Sequence, residues 1–392
     1  MKRMNNTIVM TGGGSGGHLT PIISVAEVLK VESPTTKLIY VGQKGDGLGD
    51  IMHDHPVFDA VHTIHAGKLR RYHGEGWKQL LDVKTMLLNL RDVFLTAAGL
   101  VEAWFLLRKI RPKVILCKGG FVGVPVGLAA ASLRVPYVTH DSDSLPGLAN
   151  RIIARWARLH AVSMPKEIYR YPQDKTVTVG VPVQRRFRSV TPALQAAARE
   201  SLQIPARAKV IFVIGGGLGA RRVNDAVLAS YKSLAAEYGQ SLYVLHVAGR
   251  AGEQAVLERY QKLDPEAVKA DRVRVFGFTN DVAKLSAAAD AVITRAGATN
   301  MAEFAVQGKA CIIVPNPVLT GGHQLKNASV YHKANAALVV LEDDLQSLST
   351  SITQLLNNAG LRDELGKNLQ ALANTKAADS LAKLLLAVTE RR

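Results

Sequence analysis

At 392 residues the chain is longer than one hydrophobic core usually supports, and about 100–200 residues per domain points to two domains. Its 47% hydrophobic content excludes a disordered chain, and no run reaches the ~18 uncharged apolar residues of a membrane span; the best stretch, Val93 to Leu107, contains Glu102 and is too short. The net charge of +17 is concentrated in residues 1–200, which hold 27 Lys and Arg against 15 Asp and Glu.

Nucleic acid is one partner for such charge, but aromatics are sparse and there is no basic repeat, zinc-ligand spacing or aromatic RNA-binding strand. An anionic membrane surface, a phosphorylated substrate or a merely solvated basic surface fits equally. The first residues, Met1-Lys-Arg-Met-Asn-Asn, carry no apolar signal segment. Cys117 and Cys311 lie far apart in apolar runs, which predicts buried thiols in a reducing compartment, by default the cytoplasm.

In chain order, Ile8, Val9 and Met10 predict a strand, Thr11-Gly-Gly-Gly-Ser-Gly-Gly-His18-Leu-Thr-Pro21 a glycine turn, and 22–30 a helix. A strand, a glycine turn and a helix start form an anion site, because the backbone approaches the ligand closely and unpaired N–H groups point at it. The spacing matches neither the Walker loop nor a dinucleotide fingerprint. Further apolar runs predict strands at 38–41, 114–117, 137–139 and 160–162, and 85–109 reads as one long amphipathic helix. A second series follows Gly180-Val-Pro-Val183, with strands at 210–214, 243–247, 273–276, 291–294, 310–314 and 337–340, and a terminal helix at 381–388. Its first strand also runs into a glycine turn, Gly215-Gly-Gly-Leu-Gly-Ala-Arg221. Alternating strands and helices of this kind predict an α/β protein of two doubly wound, Rossmann-like domains, with ligands in a cleft beyond the carboxyl ends of the strands.

Several constellations could carry chemistry. His18, at the mouth of the first glycine turn, is a candidate general base, or else a helix-start residue that merely packs. Thr294-Arg-Ala-Gly-Ala-Thr-Asn-Met-Ala-Glu303 offers N–H groups at Ala298 and Thr299 for a diphosphate, and Glu303 for two ribose hydroxyls. In Pro315-Asn-Pro-Val-Leu-Thr-Gly-Gly-His-Gln-Leu-Lys-Asn327, His323 and Gln324 suit sugar hydroxyls, or cap the helix that follows. Asp141-Ser-Asp143 has the spacing of a metal-binding carboxylate pair, and His53-Asp54-His55 is a weaker metal reading. The glycine turns offer a metal-free way to hold phosphate.

Together these segments resemble the MurG family, the enzymes that transfer N-acetylglucosamine from its UDP donor to the undecaprenyl-diphosphate-linked muramoyl peptide of peptidoglycan synthesis. The resemblance spans almost the whole chain. It is carried by Gly13-Gly-Ser-Gly-Gly-His18, Gly67-Lys-Leu-Arg-Arg-Tyr72, Gly119-Gly-Phe-Val-Gly-Val-Pro125, Pro146-Gly-Leu-Ala-Asn-Arg151, Gly215 to Arg221, Arg295-Ala-Gly-Ala298 through Glu303, and His323-Gln324 with Asn327-Ala328.

The resemblance implies two facing Rossmann-like domains of the GT-B type. Residues 1–180 would take the lipid acceptor, with a helix at about 375–392 packing back on them, and 181–374 would take UDP-N-acetylglucosamine. It implies inverting transfer without metal or cofactor, with His18 deprotonating the acceptor 4-hydroxyl. Ser15, Gly16, Gly17, Asp143, Gln184, Gly217, Thr279, Ala298, Thr299, Asn300, Glu303, His323 and Gln324 would bind the donor, Thr279 at the uracil. Lys68, Leu69, Arg70, Arg71, Tyr72, Phe121 and His140 would serve the acceptor or the membrane. The basic, partly apolar segment from Lys68 to Trp77, Leu80 and Leu81 would lie peripherally on the inner face of the anionic cytoplasmic membrane, with cell-wall synthesis proteins as partners and no nucleic acid.

Three positions depart from the family pattern. Asp143 stands where an Asn is usual, Gly217 where a Ser is usual, and Gln184 where an Arg is usual, with Arg185 and Arg186 directly after it. An ionised Asp143 about 4 Å from a phosphate would be repelled by roughly 4 kcal/mol at an effective dielectric of ~20, so it is expected to contact the sugar and not the diphosphate. The alternatives are another lipid glycosyltransferase of the same architecture, or a non-catalytic protein that holds the lipid-linked precursor.

Overall fold

The computed structural model describes residues 6–13, 16–45, 52–53, 55–68, 83–216, 219–318 and 322–390. The chain forms two compact units, one of Met1–Gln184, Val318–His323 and Asn374–Arg392, the other of Arg185–Pro317 and Gln324–Ala373.

The first unit is built on seven strands, β1 (Thr7–Thr11), β2 (Lys37–Gln43), β3 (Ala60–Ile64), β4 (Val114–Cys117), β5 (Tyr137–Asp141), β6 (Leu159–Val162) and β7 (Thr176–Thr178). They lie in the order β3-β2-β1-β4-β5-β6-β7, and every pairing is parallel. The second unit has β8 (Lys209–Ile214), β9 (Leu242–Val247), β10 (Val273–Phe276), β11 (Ala291–Thr294), β12 (Cys311–Ile313) and β13 (Leu338–Val339), also all parallel, in the order β10-β9-β8-β11-β12-β13. Both sheets therefore start at the centre, wind outward, and reverse at the first strand, which puts a switch point between β1 and β4 and another between β8 and β11.

A parallel sheet is buried on both faces, and the period-two alternation of side chains shows how these strands achieve it. In β1, Ile8 and Met10 enter one apolar cluster and Val9 enters the other. In β8, Ile211 and Val213 face one way and Val210, Phe212 and Ile214 the other. The helices that cover the first sheet include α1 (Gly16–Glu32), α2 (Val83–Ile110) and α3 (Gly123–Ser132). Those of the second include α4 (Arg221–Tyr238), α5 (Ala298–Gln307), α6 (His323–Lys333) and α7 (Leu348–Asn357). A last helix, α8 (Ala377–Glu390), belongs to the first unit: Leu381 and Leu385 are fully buried in the same cluster as Ile8, Met10 and α1 residues Ile22 and Leu29.

Two strands were not foreseen. β3, Ala-Val-His-Thr-Ile, is a half-exposed edge strand with only Ile64 buried, and β7 is three residues long with two of them exposed. Edge strands need no apolar run, so they leave little trace in composition.

Because α8 completes the core of a unit whose sheet lies some two hundred residues earlier, Leu385→Ala is expected to cost about 2–5 kcal/mol. Urea unfolding followed by a probe in the first unit checks it. A cost under about 1 kcal/mol would mean that the helix adds nothing to that core.

Candidate functional site

In the first unit the carboxyl ends of β1, β4 and β5 bring together the turn after β1, the turn Lys118-Gly-Gly120 and the segment Asp141-Ser-Asp143. The turns interlock through backbone, with Lys118 N–H donating to the Thr11 carbonyl at 2.8 Å. Gly120 has φ +78°, and a Cβ there would lie 2.2 Å from the Gly13 carbonyl oxygen. Only glycine allows the two turns this approach.

His18 lies in the first turn of α1. The residue is partly accessible, yet its Nδ1 is enclosed and meets no hydrogen-bond partner among the described residues. Burial lowers its pKa to about 4, helped by the Lys118 charge and opposed by Asp143 and by a hydrogen bond to the Lys118 backbone. At neutral pH the ring is uncharged, the state a proton acceptor needs. Gly16 and Gly17 open the same helix, while Ser15 lies outside the described residues.

His140 is fully buried on β5, its Nε2 2.9 Å from the Gly180 carbonyl oxygen and its Nδ1 enclosed without a described partner. Asp141, one of the paired carboxylates, is a structural acceptor. Its Oδ1 accepts from Asn150 Nδ2 at 2.9 Å and Gly147 N–H at 3.1 Å, and its Oδ2 from the Tyr171 hydroxyl at 2.9 Å, so the carboxylate is committed to holding the chain after β5. Among the described residues no three His, Cys, Asp or Glu side chains cluster as metal ligands would. Asp54, the centre of the weaker metal reading, lies outside them.

Lys68 Nζ stands 5.8 Å over the Phe121 ring, which joins the loop after β3 to the turn before α3. Leu69, Arg70, Arg71 and Tyr72, with Trp77, Leu80 and Leu81, lie outside the described residues. Gln184, at the end of this unit, is buried with Oε1 unpartnered among the described residues. Motif reading missed Lys118, a lysine buried to 3% exposure directly after the apolar strand β4, whose Nζ donates to Ser142 Oγ at 2.9 Å. A cation placed directly between an apolar strand and two glycines was the available signal.

In the second unit, Ala298, Thr299 and Asn300 form the first turn of α5, directly after β11, with Ala298 and Thr299 buried. Glu303, one turn further, is also buried, and burial pushes its pKa up to about 8 against the opposing Arg186 charge. Arg186 Nη1 donates to the Asn280 carbonyl at 2.7 Å, so the loop after β10, which carries Thr279, is tied to the same cation. Thr279 Oγ1 accepts from Asp281 N–H at 3.0 Å. Gln324 Oε1 accepts from Asn316 N–H at 2.9 Å and Asn327 Nδ2 donates to the Ala296 carbonyl at 3.0 Å, so these two α6 residues brace the neighbouring loops. It is the Gln324 amide NH₂ that can donate to a ligand. His323 opens α6 and belongs with the first unit, whereas Gln324 belongs with the second. Gly217 lies outside the described residues.

The exposed side of α2 was not foreseen as a surface. Met86, Leu87, Leu90, Val93, Phe94, Val101 and Phe105 recur at helical spacing and are each more than half exposed, with Arg91 and Arg108 among them. A stripe of this kind is rarely left to water. Among the described residues no helix is long and apolar enough to cross a membrane.

Two doubly wound domains, each with a glycine turn at its switch point, match the glycosyltransferase family 28 N-terminal domain over residues 8–162 and the family 28 C-terminal domain over 210–384. The chain is a glycosyltransferase of that class. It is 30% identical over 386 residues to the UDP-N-acetylglucosamine–N-acetylmuramyl-(pentapeptide) pyrophosphoryl-undecaprenol N-acetylglucosamine transferase of Moorella thermoacetica, covering 98% of this chain and 99% of the relative. The transferase of the same name from Treponema denticola is 31% identical over 399 residues, covering 98% and 96%. The crystal structure of Acinetobacter baumannii MurG superposes with a TM-score of 0.68 at 23% identity, over 97% of this chain and 99% of that one. The chain belongs to the MurG family.

Glu303 makes the ligand-free protein sensitive to pH. Below about 4.5 the carboxyl is protonated in both folded and unfolded states; between 4.5 and about 8 only the unfolded chain ionises, so stability falls as pH rises through that window. Glu303→Gln is therefore expected to gain more than about 1 kcal/mol over the native chain at pH 8 and nothing at pH 4, read by urea unfolding at the two pH values.

Proposed function

We propose that the chain transfers N-acetylglucosamine from UDP-N-acetylglucosamine to the 4-hydroxyl of undecaprenyl-diphospho-N-acetylmuramoyl pentapeptide, inverting the anomeric carbon. The observation that carries this reading is the neutral, partly enclosed His18 imidazole at a glycine turn, in a chain matched end to end by transferases of that name. The first unit takes the lipid acceptor and the second the nucleotide sugar. His18 accepts the proton of the acceptor hydroxyl; its oxygen bonds to C1 as the C1–O bond to UDP breaks, and the electron pair leaves on the diphosphate. N–H groups of the glycine turns and the starts of α1 and α5 oppose that developing charge.

In this reading Glu303 accepts the ribose hydroxyls, the loop at Thr279 reads the base through backbone, and Ala298, Thr299 and Asn300 meet the diphosphate. His323, the Gln324 amide, Asp143 and Gln184 lie along the sugar. A pKa of about 4 makes His18 a weak base in the ligand-free protein, and the anionic diphosphate of a bound substrate raises it toward the range where base catalysis is effective.

Transfer of radiolabelled N-acetylglucosamine to a short-chain acceptor is expected to proceed in EDTA and to fall at least about 100-fold in His18→Ala. Absence of transfer by the native protein, with or without Mg²⁺ or Mn²⁺, would overturn the assignment.

The acceptor's isoprenoid stays in the bilayer, so the enzyme must come to it. The exposed apolar side of α2 and its arginines suit a peripheral position on the cytoplasmic face, α2 lying in the headgroup region without crossing. Phe94→Glu with Leu90→Glu is expected to weaken sedimentation with anionic vesicles at least about tenfold while sparing transfer to a water-soluble acceptor. Unchanged vesicle binding would place the contact elsewhere.

A further inference from the structure

Among the described residues of the first unit, the mechanism above leaves one buried cation unused. Lys118 directly follows β4 at 3% exposure, and burial pulls its pKa down to about 8, against the attraction of Asp141 and Asp143. Burying an ammonium costs several kcal/mol unless opposite charge and hydrogen bonds offset it, so such a group is retained for a reason. Ser142 supplies one hydrogen bond, and the carboxylates on either side of Ser142 supply the charge.

The two carboxylates differ in burial. Asp141 is buried and accepts from Asn150, Gly147 and Tyr171. Asp143 is only half-buried; its backbone carbonyl is anchored by the Tyr169 hydroxyl at 2.9 Å, and its carboxylate acts electrostatically on both Lys118 and His18. Around His18 the charged and titratable groups among the described residues are thus Lys118, directly after β4, Asp143, following β5, and the neutral His140 on β5. Left alone, a carboxylate beside a glycine turn would repel the anion that the turn is built to hold.

We infer that Lys118 is a positioning residue for diphosphate-bearing substrates: it pins the 142–143 segment through Ser142 and cancels the Asp143 carboxylate, so that an anion can enter beside the glycine turns of the first unit. Lys118 need not touch the ligand. The inference rests on the transferase reading for its functional meaning, but the charge pairing can be judged without it.

The test is a cycle of Lys118→Met, Asp143→Asn and the double variant, each checked for folding by circular dichroism. Transfer kinetics and the affinity for inorganic diphosphate by calorimetry are measured at one pH and ionic strength. Lys118→Met is expected to raise the KM of a diphosphate substrate and the Kd for diphosphate at least about tenfold, with kcat changed less. Adding Asp143→Asn is expected to bring both to within about threefold of Asp143→Asn alone. Defects that simply add, or a Lys118→Met defect confined to kcat and stability, would overturn the pairing. Should Lys118→Met not fold, Asp143→Asn carries the test: it is expected to tighten diphosphate binding at least about threefold, and unchanged or weaker binding overturns the proposal. Native protein that binds diphosphate with this pattern but transfers nothing would refute the transferase reading and leave the pairing standing.

Discussion

A Cβ atom on Gly120 would sit 2.2 Å from the Gly13 carbonyl oxygen and 2.7 Å from the Gly13 nitrogen, closer than real Cβ atoms come to backbone. That forbidden atom sets the geometry of the first unit's site. Because it is missing, the turns after β1 and β4 meet at the switch point of the sheet. The Thr11 carbonyl takes the Lys118 N–H, the Tyr40 hydroxyl donates to the Gly12 carbonyl, and Thr11 Oγ1 donates to the Val41 carbonyl at 2.8 Å. The neighbouring strands β2 and β4 are thus both clamped to the end of β1, and His18, on the helix leaving that turn, inherits a fixed position. The second unit uses a close approach on the other side of its first strand: Gly219, in the turn after β8, has φ +77°, and a Cβ there would lie 2.5 Å from the carbonyl oxygen of Ala248, which follows β9.

Much of this was legible because buried parallel strands and glycine turns are the parts that composition cannot disguise. The strand at 114–117 has the bounds expected of it, and the long helix expected at 85–109 spans 83–110. What escaped was of two kinds. β3 and β7 are edge strands, where one side needs no apolar partner and the period-two signal disappears. Lys118 and the orientation of α2 are properties of packing: the pattern shows that α2 is amphipathic, but not that so much of its apolar surface remains uncovered once Ala103 and Leu107 have filled the core.

Asp141 shows what spacing leaves out. Two acids separated by one residue have the spacing of a ligand pair, yet one of them is a buried structural acceptor for Asn150, Gly147 and Tyr171. Spacing counts carboxylates without knowing how many hydrogen-bond donors the fold already aims at each. Gln324 is a milder instance, since half of its amide is spent on Asn316, so a residue singled out for a sugar also does structural service.

The ionisable groups at both switch points are pushed toward neutrality by the same cause. Burial lowers His18 to about 4 and Lys118 to about 8, and raises Glu303 to about 8. Desolvation penalises charge of either sign, but a ligand does not restore the sites alike. An anionic diphosphate favours the protonated forms of His18 and Lys118, whereas the carboxylate of Glu303 gains from neutral hydroxyl donors and from Arg186. In the proposed assignment, lipid acceptor and nucleoside would thus suit the two units for opposite electrostatic reasons, and each bound ligand would supply part of the polarisation that burial withholds from the protein alone.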